Sequence, residues 1–432
     1  MKILEQHQAG LLRHSFLLLI ASQIANVCNM LFQVLMMRSL TVTEYGILAA
    51  MLSLIMIIGT PLTAMRTAIA HHVALMTRQG HLERINPFLR RWAGTLILAA
   101  VVITVIGAGA SPWIADFFKI PQATPVILAV LVMAGSLFMP LFAGALQGLQ
   151  SFRWLAFQTQ IWGVVRLLAA LLTVVVIGGT AVAGLMAQAF GVLASIAVGL
   201  CALIIALRAH GSDSSWTFSG WGYFLMSLFV LSGFAVIMNA DVSLVKRFFE
   251  PEEAGVFARA ATIGRSIVFL PMPVAIAMFP KVVSSGLLPT GGDRHILGRA
   301  VFYTGGLIVS TALVCSVFIR PIWHVFTGEA PDAPTVLLAR WVIWALAPLG
   351  LTFLLINFEI AQRRFRAPFI VVLIAGLYVT AVAIWHETFT QVLTIMTCVT
   401  VGSLLIVLMD MRRAANSWVL KEPDAEIPIE AE

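Results

Sequence analysis

Stretches of about twenty apolar residues, nearly free of charge, recur along this chain from residue 14 to residue 410, and only a bilayer can house that many of them. In hydrocarbon every backbone N–H and C=O must be paired inside its own segment, so such runs are expected to be α-helices. The spans read near 14–37, 44–66, 92–110, 124–149, 155–178, 179–205, 221–245, 254–278, 298–320, 335–359, 368–385 and 390–410. Charged residues make up only 11% of the chain, which leaves no segment charged enough to read as a soluble domain. The first run is expected to stay in the mature protein, because it is longer than a signal's apolar core and carries Gln23, Asn26, Asn29 and Gln33.

Orientation follows from where the positive charge falls. With the N-terminus inside, only Arg38, Lys119, Lys246, Arg247 and Arg320 of the 27 Lys and Arg lie in outer segments. Arg166, Arg259, Arg265 and Arg340 fall within spans, and the rest are on the inner side, so both termini are expected to be cytoplasmic. The net charge of +7 thus describes topology, and nucleic acid is not needed to explain it.

The chain also looks built twice. Arg38, Glu44 and Gly46 return 209 residues later as Arg247, Glu253 and Gly255, each set leading into a long apolar run. Pro61 is answered by Pro271 and Pro140 by Pro348, so the same helices are expected to kink in both halves, as working hinges or as kinks satisfied by neighbours. The polar stretch from Arg208 separates an N-terminal six-helix lobe, 1–210, from a C-terminal one, 219–411. Residues 211–218 form the cytoplasmic linker and 412–432 a tail expected to be disordered. Two copies with an even number of spans share one orientation, and such a pair can rock about a central cavity. The expected fold is an all-α polytopic membrane protein of about twelve transmembrane helices in two pseudo-symmetric bundles.

Enzyme chemistry is missing from the motifs. No phosphate loop is present, and neither His71-His72 nor His386-Glu387 has the companions of a zinc site, so no cofactor or metal is expected. Cys28, Cys201, Cys315 and Cys398 all sit within spans and read as packing residues.

What chemistry remains is intramembrane. Arg166 lies mid-span, Arg259 and Arg265 enter the eighth span, Arg340 enters the tenth, and Arg66 sits where the second span ends or continues. Guanidinium forks match phosphate oxygens, so these five residues would make a cavity suited to an anionic substrate. The alternative for Arg259 or Arg265 is a buried pair with Asp241. Glu359 is either functional or paired with Arg363 four residues on. Ser22, Asn26, Asn29 and Gln33 share one face of the first helix, and Asn239 adds an amide in the seventh; they suit either sugar hydroxyls or helix–helix hydrogen bonds.

Leu40, Glu44, Tyr45 and Gly46, then Gly148 to Arg153, Asn239 to Lys246 and Pro251 to Ala258, resemble the polysaccharide transporter and O-antigen flippase branch of the multidrug/oligosaccharidyl-lipid/polysaccharide (MOP) exporters. The resemblance covers nearly the whole chain. It implies a MATE-like, V-shaped, alternating-access transporter in a bacterial inner membrane. It further implies undecaprenyl-pyrophosphate-linked oligosaccharide units as substrate and, commonly, coupling to an ion gradient, for which Asp241 and Glu359 are the candidate residues. Membrane lipids, a polysaccharide polymerase and glycosyltransferases are the expected partners. An ion-coupled drug or metabolite antiporter on the same fold, and a non-transporting scaffold for glycan-assembly enzymes, are the alternatives.

Overall fold

The computed structural model describes residues 23–207, 221–269, 293–362 and 364–419. Ser22, Pro271, Arg363, the 211–218 linker and the end of the tail lie outside the described residues. Sixteen helices are described: α1 (residues 23–39), α2 (Val42–Gly59), α3 (Leu62–Arg78), α4 (Ile85–Gly109), α5 (Ser111–Phe117), α6 (Thr124–Ser136), α7 (Met139–Gly148) and α8 (Phe152–Ile177). They continue as α9 (Ala181–Leu207), α10 (Trp221–Phe248), α11 (Pro251–Phe269), α12 (Asp293–Val317), α13 (Ile319–Thr327), α14 (Ala333–Ala361), α15 (Arg366–Ile384) and α16 (Phe389–Val419). No strand occurs among the described residues.

Nine of the described helical segments are long and apolar enough to cross a membrane, ten if α12 and α13, bent by 77°, count as one span. Their outward faces carry Leu98, Val105, Leu172, Val175, Leu313 and Leu377, all exposed, an apolar surface that water would not tolerate. This is a multi-pass membrane protein. The described part of the eighth expected span, α11, carries Glu252, Glu253, Arg259 and Arg265 and is the most charged of the long helices at the seam.

Local sequence sets the helix ends. Thr41 caps α2 by accepting from the Glu44 amide at 3.3 Å, and Asp332 caps α14 through the Thr335 amide at 3.0 Å. α13 stops at Gly328, whose φ of 80° places it in the left-handed region that favours glycine. Pro61 and Pro140 mark real breaks: Pro61 separates α2 from α3, and Pro140 stands in the first turn of α7, where its missing N–H costs nothing. Pro348 behaves differently, for it sits inside an unbroken α14. α16 also runs on to Val419, past the expected start of the tail at 412, because Met411 to Ala415 are good helix formers with no glycine or proline to stop them.

The duplication is visible in the elements. α11 begins 209 residues after α2, α12 208 after α4, α13 208 after α5, α14 209 after α6 and α16 208 after α9. α15 begins 214 after α8, the longer step that a loop insertion produces. In the first half α8 packs on α9 and α3 on α7; in the second α11 packs on α14, α10 on α15 and α14 on α16. The halves meet where α2 lies against α10 and α11. There the two motif glycines touch: a Cβ on Gly46 would stand 3.1 Å from the Gly255 Cα, and one on Gly255 only 2.1 Å from the Val42 carbonyl oxygen. Two helix backbones approach this closely only through such residues.

Candidate functional site

Tyr45, beside Gly46 at the start of α2, is buried where the halves meet. Its hydroxyl stands 3.1 Å from Gln33 Oε1 on α1 and 2.9 Å from Thr262 Oγ1 on α11, so one phenol joins three helices across the seam. Arg166, Arg259 and Arg265 all lie within electrostatic reach of it. Three of the five arginines named from the sequence therefore converge on one place, contributed by both halves.

Each guanidinium is held differently. Arg166, on α8, is 3% exposed; its Nη1 donates to Gln188 Oε1 on α9 at 2.9 Å, and its Cζ lies over the Phe32 and Trp162 rings, 3.9 and 4.6 Å from their centroids. Stacking of this kind recovers part of what desolvation costs the cation. Its Nε has no hydrogen-bond partner among the described residues. Arg259 turns to the end of α1, donating to the Met37 and Leu40 carbonyls at 3.2 and 3.4 Å, with Glu329 at 3.2 Å from its other nitrogen. Arg265 donates to the Met238 carbonyl at 3.0 Å and forms an ion pair with Asp241.

The other two stand apart. Arg66 donates to Gln147 Oε1 at 3.0 Å, between α3 and α7, and Arg340 to the Ser316 carbonyl at 2.9 Å, between α14 and α12.

The amide stripe on α1 is only partly turned inward. Asn26 is exposed, Asn29 is half-buried with its Oδ1 enclosed and without a partner among the described residues, and Gln33 accepts from Tyr45. Asn239 donates to the Ala235 carbonyl of its own helix at 3.0 Å. Of the two carboxylates, Asp241 is wholly enclosed with one oxygen paired to Arg265 and the other unpartnered among the described residues. Glu359 is equally enclosed, and neither of its oxygens has a partner there. Asp410 on α16 and Arg364 lie within electrostatic reach of it.

Sequence reasoning missed four participants. Tyr45 was part of a motif but carries a polar tip at the seam; Phe32, Trp162 and Gln188 read as ordinary span residues. A signal did exist for two of them, since Trp162 and Gln188 bracket Arg166 on adjacent antiparallel helices. Lys246, placed in an outer segment by its neighbours, is 1% exposed, with its Nζ unpartnered among the described residues.

An inward-facing multidrug-resistance MATE-family transporter of the MOP superfamily superposes on this chain with a TM-score of 0.72, covering 94% of this chain and 100% of that one at 12% identity. The chain shares that protein's fold. The lipid II flippase MurJ, in an inward closed conformation, is similar at a TM-score of 0.67 and 13% identity, over 92% of this chain and 87% of that one. An outward-facing MATE-family transporter of the same superfamily gives 0.57 at 12% identity, over 95% and 96% of the two chains. No protein-family model and no curated protein matches the sequence.

Proposed function

We propose that this chain is a flippase that moves an anionic, lipid-linked oligosaccharide, of the undecaprenyl-pyrophosphate class, across a bacterial inner membrane. The observation that carries this reading is the grouping of Arg166, Arg259 and Arg265 from both halves around Tyr45, at the seam of a fold shared with MOP transporters. Arg166 bonds a neutral amide oxygen and one nitrogen of Arg259 bonds neutral carbonyls, its other nitrogen being paired with Glu329; a pyrophosphate would be a stronger acceptor than these neutral oxygens. Gln33 and Asn29 on α1 offer amides beside them for sugar hydroxyls. Asp241 and Glu329 balance two of the three cations, which leaves the group net positive.

The enclosed Asp241 also supports a second reading, an ion-coupled drug or metabolite antiporter, since a buried carboxylate is a natural cation or proton carrier. A deletion strain separates them. Trapped undecaprenyl-linked intermediates on the inner leaflet are the expected result; normal surface polysaccharide with raised drug sensitivity would favour the antiporter. At the site itself, Arg166→Ala is expected to cut glycan export roughly tenfold, the scale of one charge-assisted hydrogen bond. Protein level in the membrane should hold. Full export by that variant would remove Arg166 from the mechanism.

A further inference from the structure

The charged residues of the duplicated segments do something the substrate reading does not use. Arg38, at the first copy, crosses to the second half: its Nε donates to the Val325 carbonyl at 3.0 Å and its Nη2 reaches the His324 carbonyl at 3.5 Å, both in the last turn of α13. Arg247, its repeat equivalent, crosses the other way and lies 4.8 Å from the Phe117 ring of α5. α5 and α13 are themselves equivalents in the repeat. Each half therefore sends the same arginine onto the same short helix of the other.

Two further cations repeat the pattern. Arg259 of the second half donates to Met37 and Leu40 at the end of α1, and Lys119 of the first half donates to the Phe249 carbonyl at 3.2 Å, just past α10. In three of the four crossings a cation meets carbonyls at a helix C-terminus, the negative end of the helix dipole. Gly46 and Gly255 close the same end of the seam.

We infer that the duplicated segments form a reciprocal latch holding the two halves together at the end assigned to the outer face, and that this latch parts when that end opens. The described crossings favour a latch over a weld. None is a fully enclosed ion pair between the halves: across the seam the donors meet neutral carbonyls or a ring, the Glu329 carboxylate beside Arg259 belongs to its own half and is exposed, and the carboxylate that faces Lys119, Glu250 at 3.9 Å, is exposed as well. Water can replace such partners as the halves separate, whereas a buried pair would be stranded.

That the latch opens in a transport cycle rests on the transporter reading, so the test uses no transported substrate. A single cysteine at Thr262, which touches Tyr45 across the seam, is labelled in intact cells with a membrane-impermeant maleimide. Labelling is expected to be slow in the parent and several-fold faster with Arg38→Ala or Arg259→Ala. Arg320→Ala, which removes an exposed cation of the same end, should leave the rate unchanged. Arg38 is exposed, so its truncation leaves the core intact, and monodisperse elution checks folding. Parent-like labelling in both latch variants would overturn the inference, while loss of glycan export with altered labelling, or the reverse, tells the two readings apart.

Discussion

Removing Arg265 would leave the Asp241 carboxylate enclosed with no charged partner, and that is the residue-scale change with the clearest cost. Breaking one side of a buried pair typically costs about 3–5 kcal/mol, whereas replacing both sides together is often nearly neutral. Arg265→Ala is therefore expected to lower the thermal unfolding temperature in detergent strongly, and the double variant Arg265→Leu with Asp241→Asn to recover much of it. A double variant as unstable as the single one would mean that the pair is not what Arg265 supports. The sequence showed these residues but could not choose between Arg259 and Arg265. Depth alone favours Arg259: at about 1.5 Å per residue it lies about 12 Å into α11, close to the depth of about 10 Å that separates Asp241 from the end of α10. Rotation reverses the choice. The two arginines are about 240° apart around the helix, and the face bearing Arg265 is the one that meets α10 while Arg259 meets α1. Hydropathy gives depth along a helix and says nothing about which neighbour each face will meet, so the pairing was not legible.

At the scale of elements, the contact between α2 and α11 sets how far the halves can close. The repeat made Gly46 and Gly255 visible in the sequence, because a shared glycine beside a shared glutamate stands out. That they touch each other was not visible, since a motif reports likeness between two segments rather than proximity. Their surroundings differ enough to order two substitutions. A Cβ at Gly255 would overlap the Val42 carbonyl, a backbone atom that cannot swing away, while one at Gly46 needs a shift of only a few tenths of an ångström. Gly255→Ala is expected to cost about 1–3 kcal/mol by overpacking and Gly46→Ala distinctly less. Thermal melts of the two purified variants check the order, and equal melting temperatures would contradict it. The prolines teach a related lesson. All four marked kinks in the sequence, yet Pro61 and Pro140 stand at breaks while Pro348 lies in a continuous helix, where the Thr352 hydroxyl donates to the Pro348 carbonyl at 2.9 Å. A missing N–H permits a break; packing decides whether one occurs.

For the whole molecule, the repeat extends to helix order and to the short helices α5 and α13, but not to the charge it carries. At the 209-residue shift Ala50 and Met56 stand where the second half has Arg259 and Arg265, so the scaffold is repeated and these two charges are not. This bears on orientation. The charge count left five basic residues on the outer side, and four have structural work there: Arg38 and Lys119 bond carbonyls of the other half, Arg247 lies on Phe117, and Lys246 is enclosed. Cations held in the fold are poor witnesses for topology, because the bias acts on charge in short loops near span ends. With them set aside, Arg320 is the remaining outer-side exception to the expectation of cytoplasmic termini. Glu250, whose side chain is 79% exposed, and Arg153, exposed in the first turn of α8, mark opposite ends of the bundle. A cysteine at 250 should react with an impermeant maleimide in intact cells, and one at 153 only after the membrane is permeabilised. The reverse pattern would turn the molecule over, place the latch on the cytoplasmic side and make the end holding Arg153 the one that faces out.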